Sequence, residues 1–212
     1  MNRIVIWGTG GHAKAIAEAI RCAGLLQLAG FIDDVYPERR GNDFCDSQVL
    51  GGRESLPALL EQGITSMVLG FGNNAARLKL SEELTALGFR FPVIIHPSAV
   101  VAKDCEVGTG SFIAALAVIN PGTHIGQQVI VNTGAIIEHD CEIEAGVHIG
   151  PRACLTGGVR VGRNTWLGAG SVVRDKVTLG EHSIIGMGAV VVKSIPDRVV
   201  AYGCPATVKN KI

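Results

Sequence analysis

The chain is poor in aromatic residues, with two Trp, two Tyr and six Phe among 212, so any sizeable core must be built from aliphatic side chains. It has no excess charge of either sign: 19 Lys and Arg balance 19 Asp and Glu. Without a cationic block, nothing in it points to nucleic acid or to an anionic membrane. No apolar run approaches the roughly 18 residues of a spanning helix, and Met1 leads straight into a strand-like stretch without a signal peptide. A cytoplasmic protein with no membrane insertion is expected. The six cysteines contain no CxxC pair and no metal-knuckle spacing, which predicts reduced thiols and no metal site.

What the chain does have is rhythm. From Ile95 to Val191 every sixth residue is Val, Ile or Leu, seventeen slots in succession. Four residues after most of these aliphatics stands a compact side chain, as at Ser111, Ala117, Thr123, Ala135 and Ala153. The compact residue and the next aliphatic lie two apart and so point to one side of a strand, while the pair between them turns a corner. This hexapeptide repeat predicts a parallel β-helix, three strands and eighteen residues per coil, with positions eighteen apart stacked one strand spacing from each other. Cys105 and Cys141 then share one inward column two coils apart, too distant to bond.

The residues before Ile95 read differently. Arg3 to Trp7 form an apolar run, the turn Gly8-Thr9-Gly10-Gly11-His12 follows, and an amphipathic stretch from Ala13 to Ala23 stops at Gly24. Further strands are expected over Leu28–Ile32 and Met67–Phe71, and helices over Glu54–Gln62 and Ala75–Leu87, with the charged segment Tyr36–Asp46 as a loop. Alternating strands and helices predict a small parallel sheet of Rossmann type over residues 1–94. Residues 95–212 would hold the β-helix, with residues 197–212 as a cap or tail over its last coil.

Sorting the residue before each aliphatic by column gives three outward faces. Val118, Ile136, Cys154, Val172 and Val190 make one apolar face, and Phe112, Ile130, His148, Trp166 and Ile184 a second. The third, with His124, Glu142, Arg160 and Thr178, is polar. Two adjacent apolar faces predict a closed ring in which each packs on a neighbour, a homotrimer.

Two sets of residues carry chemistry. His139 and Asp140 occupy a corner where side chains leave the core, and a carboxylate beside an imidazole can fix its tautomer and raise its basicity. His148 interrupts an apolar column, which reads either as a filler of a subunit contact or as part of a site shared with His139 of a neighbour. The turn through Gly10, Gly11 and His12 fits G-x-G-x-x-A, and Asp33 and Asp34 follow where a ribose-binding acid is expected. The domain has about half the length of a full dinucleotide fold, which favours a mononucleotide or nucleotide sugar over NAD.

Together, the turn GTGGH, the pair Asp33-Asp34, Gly72-Asn73-Asn74, His96-Pro97-Ser98-Ala99, Asn132 to Cys141 and the final Gly203-Cys204-Pro205-Ala206 resemble the PglD/NeuD family of sugar O-acyltransferases and nucleotide-aminosugar N-acetyltransferases. The resemblance implies a left-handed β-helix and acetyl-CoA as co-substrate, with no tightly bound cofactor. By position it implies His139 as catalytic base with Asp140 as its partner. It also implies His148, Gly157, Ala169 and Met187 at acetyl-CoA, Gly157 offering a backbone N–H to an oxyanion, and Gly10, Gly11, His12, Asp33, Asp34 and Gly72 at the nucleotide sugar. The expected reaction is N-acetylation of a UDP- or GDP-4-amino-4,6-dideoxy sugar. O-acetylation of a sialic acid or other sugar is the alternative, and an NAD-binding regulator or a three-histidine zinc hydratase are the remote ones.

Overall fold

The computed structural model describes residues 2–212. Five strands and three helices make up the first region: β1 (Asn2–Trp7), α1 (Gly11–Ala23), β2 (Leu26–Ile32), β3 (Asp43–Phe44), β4 (Ser47–Gly51), α2 (Leu56–Glu61), β5 (Ser66–Leu69) and α3 (Asn74–Ala86). The sheet order is β3-β4-β2-β1-β5, parallel except for the β3–β4 pair. Ile4, Ile6, Ile16 and Phe31 are fully buried in it. Helix α1 forms because Ala13, Ile16, Ala17 and Ile20 recur at helical spacing and face the sheet. Gly24 ends it in the left-handed region, φ 64°, donating its N–H to the Ile20 carbonyl.

The segment Tyr36–Asp46 is not a plain loop. It contains a 3₁₀ turn over Pro37–Arg39, and β3 pairs antiparallel with β4. Two residues of strand are too short to leave a period in the sequence, which is why alternation did not reveal it.

Seventeen two-residue strands then run from β6 (Ile94–Ile95) to β22 (Val190–Val191), one every six residues. From β6 to β19 each pairs in parallel with the strand eighteen residues on, as Val118 with Ile136 and His124 with Glu142. The result is a three-sided parallel β-helix. The inward aliphatics Ile113, Val131, Ile137, Ile149, Leu155 and Ile185 are fully buried, each contributing about 1.5–3 kcal/mol of burial. Corners recur with the same period: Gly110, Leu116, Gly122, Gln128, Gly134 and Asp140 all have φ between 55° and 72°. A non-glycine residue in that region is costly, about 1–2 kcal/mol, and Asp tolerates it better than most. The chain closes on a hairpin, β23 (Val199–Gly203) and β24 (Ala206–Lys211), which adds to the sheet through β21 (Ile184–Ile185).

One expectation about the faces is corrected. The column that begins Phe112 and Ile130 is not free to pack on a neighbour, because both are 2% exposed and lie in one cluster with Ile4, Ala13 and Ile16. The chain's own first region covers that end of the face. The other apolar face stays open, with Val100 63%, Ile136 38% and Val172 40% exposed.

Candidate active site

The corner pair is built by stacking. His139 Nδ1 lies 2.8 Å from Asp140 Oδ2, so Nδ1–H donates to the carboxylate and Nε2 is left as the free acceptor. The coils on either side make room for them. A Cβ on Gly157 would stand 2.6 Å from both Cε1 and Nε2 of His139, and a Cβ on Gly122 would stand 2.5 Å from Asp140 Oδ1. Asp140 itself adopts φ 58° and anchors its N–H on the Pro121 carbonyl at 3.0 Å. Both side chains remain largely exposed at 63% and 73%.

His148 has the opposite setting. It sits on the covered face, 6.4 Å between ring centroids from His12 on α1 and the same from Trp166. Asn132 Nδ2 lies 3.1 Å from His148 Nε2, while Asn132 Oδ1 accepts the Thr133 N–H at 2.8 Å. That second bond fixes the amide's orientation, so Asn132 donates to Nε2 and the proton of a neutral His148 rests on Nδ1. Burial, then the Arg77 charge, lower its pKa to about 4. His12 is lowered to about 3 by burial, then by His148 and Arg77, and its Nε2 is buried without a hydrogen-bond partner.

Two cavities flank these imidazoles. One, about 550 Å³, is lined by Gly10, Gly11, His12, Asp33, Asp34 and Gly72, bringing together all six residues expected at a nucleotide. The α1 terminus facing it has an extended Gly10, no side-chain cap and no acidic residue in its first turn, leaving N–H groups and the positive dipole end for an anion. The second cavity, about 660 Å³, is bounded by His148, Trp166, His182 and Arg198 and shares Gly72 with the first. Ala169 is half-buried and Met187 75% exposed. Eighteen apart, they stack at the corner that leads into the open apolar face, whereas His139 stands at the corner that leaves it. His139 and the Ala169–Met187 column therefore border opposite edges of one face.

The two acids of the Asp33-Asp34 pair differ. Asp33 is 3% exposed and spends its carboxylate inside the chain. Oδ2 accepts from the Thr9 N–H and hydroxyl at 2.7 and 2.6 Å, and Oδ1 from the Val35 and Tyr36 N–H groups at 2.7 and 3.2 Å. Burial opposes its ionisation, but these donors outweigh burial and hold its pKa below the ordinary value. Asp34 is the exposed one, with Oδ1 on the Arg53 N–H at 2.7 Å. Sequence reasoning passed over Arg39, which donates to the Thr9 carbonyl at 2.7 Å and stacks 4.2 Å over Tyr36. It also passed over Arg77, and gave Asn132 no role beyond its place in a motif. Among the described residues, no group of three or more His, Cys, Asp or Glu converges as a metal site, and no helix is long and apolar enough to cross a membrane.

Residues 3–84 match the PglD N-terminal domain, and residues 122–157 and 158–193 match the bacterial transferase hexapeptide of six repeats. PerB from Caulobacter crescentus, solved in complex with CoA and GDP-perosamine, is 39% identical with a TM-score of 0.93, covering 99% of this chain and 98% of that one. The chain belongs to the PglD family of hexapeptide-repeat acetyltransferases. The acetyltransferase domain of PglB from Neisseria gonorrhoeae, in complex with acetyl coenzyme A, is 36% identical with a TM-score of 0.92, covering 98% of this chain and 99% of that domain. A UDP-N-acetylbacillosamine N-acetyltransferase of Bacillus subtilis is 37% identical over 119 residues, 54% of this chain and 52% of the relative. In that sequence match the chain spans about half the length of the curated relative. Membership of this family makes the three-sided column a left-handed β-helix.

Proposed function

We propose that the protein transfers the acetyl group of acetyl-CoA to the amine of a nucleotide-linked amino sugar of the UDP- or GDP-4-amino-4,6-dideoxy type. The observation that carries this reading is the pairing, in one chain, of a nucleotide-sized cavity at an uncapped helix start with an imidazole whose Nε2 is left free by Asp140. Likeness along the whole chain to a protein holding CoA and GDP-perosamine supports it.

In this mechanism the sugar amine attacks the thioester carbonyl while His139 Nε2 accepts its proton. The tetrahedral oxyanion then collapses, the carbon–sulfur bond breaks, and CoA thiolate leaves to take up a proton. The backbone N–H of Gly157, beside the imidazole, supplies a donor for the oxyanion. His148, neutral with its proton on Nδ1, offers a hydrogen bond to the acyl group or to the sugar. No acyl-enzyme forms.

The site is shared between subunits of a homotrimer. Val100, Ile136 and Val172 are the exposed apolar residues to be covered, and packing on that face brings His139 of one subunit toward the Ala169–Met187 edge of the next. Sedimentation at micromolar concentration should show a trimer, and a monomer would refute the shared site. A cytoplasmic location is part of the same reading.

The deciding experiment incubates the protein with acetyl-CoA and a panel of UDP- and GDP-linked 4-amino-4,6-dideoxy sugars, with sialic acid as the hydroxyl acceptor, and weighs the products. An N-acetylated nucleotide sugar is expected. Acetylation of sialic acid alone would replace this reading with O-transfer.

A further inference from the structure

Among the described residues Arg77 is the largest fully buried side chain and forms no ion pair. Placing a guanidinium in a core without a carboxylate is costly unless carbonyl oxygens replace its hydration. Here four acceptors do so. Nε donates to the Gln128 carbonyl at 3.0 Å and Nη2 to the Gly146 carbonyl at 2.9 Å, both on the β-helix. Nη1 donates to the Phe71 carbonyl at 3.3 Å, and Nη2 also to Asn74 Oδ1 at 3.1 Å, both on the first region. The Asn74 amide continues the strap, donating to the Asn164 and Thr165 carbonyls at 3.0 and 3.3 Å.

Between Phe71 and Asn74 lies Gly72, the residue common to the two cavities. Gly146 stands two residues before His148 on the same coil. The guanidinium thus ties the wall between the cavities to the coil that carries the imidazole, and it does so with a planar fork that a lysine ammonium does not reproduce.

We propose that Arg77 is a positioning residue that sets the Phe71–Asn74 loop in fixed register with the His148 coil, so that a ligand held in the nucleotide cavity reaches past Gly72 to His148. This rests on the functional reading above. The bond network explains why a charge is kept here at all: an apolar residue would fill the space but leave four oxygens without donors. Burial, with a smaller contribution from the Arg77 charge, disfavours protonation of His148 and His12, so both rings remain neutral partners for a ligand.

The test uses the full chain with Arg77→Lys and, as a milder break in the same strap, Asn74→Ala. Steady-state kinetics are measured with acetyl-CoA and GDP-perosamine or whichever panel sugar the wild type accepts, and amide hydrogen exchange is followed over residues 71–74. For Arg77→Lys, KM for the nucleotide sugar should rise about tenfold and kcat fall about tenfold, with KM for acetyl-CoA within about twofold and exchange over residues 71–74 accelerated. Asn74→Ala should move the same quantities in the same direction by less, and it decides the matter if the lysine variant does not fold. Unchanged nucleotide-sugar KM and loop exchange overturn the proposal, as does a fall in kcat alone that merely tracks the folded fraction. A wild type that acetylates no panel sugar overturns the functional reading instead, and the exchange data then still decide whether Arg77 holds the loop.

Discussion

The protein puts imidazoles in two opposed settings, an open corner at His139 and a buried seam at His12 and His148. At the corner the ring is 63% exposed, braced by a carboxylate 2.8 Å away, with glycine on the coil stacked against it. In the seam the rings lie between α1 and the β-helix, next to a buried guanidinium, with pKa values lowered to about 3 and about 4. A group that must take up a proton needs solvent or a carboxylate to stabilise its charged form, and a group that must stay a neutral hydrogen-bond partner is best kept from both. Under the proposed mechanism, the difference suits the corner to proton transfer and the seam to orientation.

The sharpest way to break this contrast is His139→Ala. Removing a general base costs about 10²–10⁴ in rate, so kcat should fall by that much while acetyl-CoA binding, measured by calorimetry, stays close to wild type. Wild-type turnover would transfer the role elsewhere. Next in size is Gly157→Ala, which leaves the imidazole present but places a methyl 2.6 Å from its ring atoms. The ring must swing away from Asp140, and a displacement of about 1 Å costs about 10² in kcat. Little change in melting temperature is expected, because the corner is exposed. An unaltered kcat would show that the stacking is not what aims the base.

The corner was legible in the sequence because its construction is periodic: His139 and Gly157 are eighteen apart, and so are Gly122 and Asp140. The seam was not. Arg77 sits on a helix among Lys79, Glu82 and Glu83 and reads as one more solvated charge, since its acceptors on Gln128 and Gly146 lie 51 and 69 residues away in sequence. His148 could be seen to interrupt an apolar column, but periodicity tells only that a side chain points outward. Whether a neighbour or the chain's own α1 covers it depends on how the two regions dock. The Asp33-Asp34 pair shows the same limit at short range. Both acids fit a ribose-binding position by spacing, and only the four donors converging on Asp33 separate the structural acid from the exposed one.

The smallest predicted effect sharpens the other half of the contrast. In the unfolded chain His12 and His148 titrate near 6.5, and in the folded protein near 3 and near 4. Between those values the unfolded state binds more protons, so folding stability is fully present above about pH 6.5 and declines as pH falls. Each buried histidine should contribute a slope approaching about 1.4 kcal/mol per pH unit near pH 5. Urea unfolding at half-unit intervals would read the total, to which carboxylates also contribute. His148→Asn, which keeps a polar side chain beside Asn132, should therefore lower that slope by about one proton's worth relative to wild type. An unchanged slope in that variant would mean that the seam does not shield His148, and the division of labour between the two sets of imidazoles would fail with it.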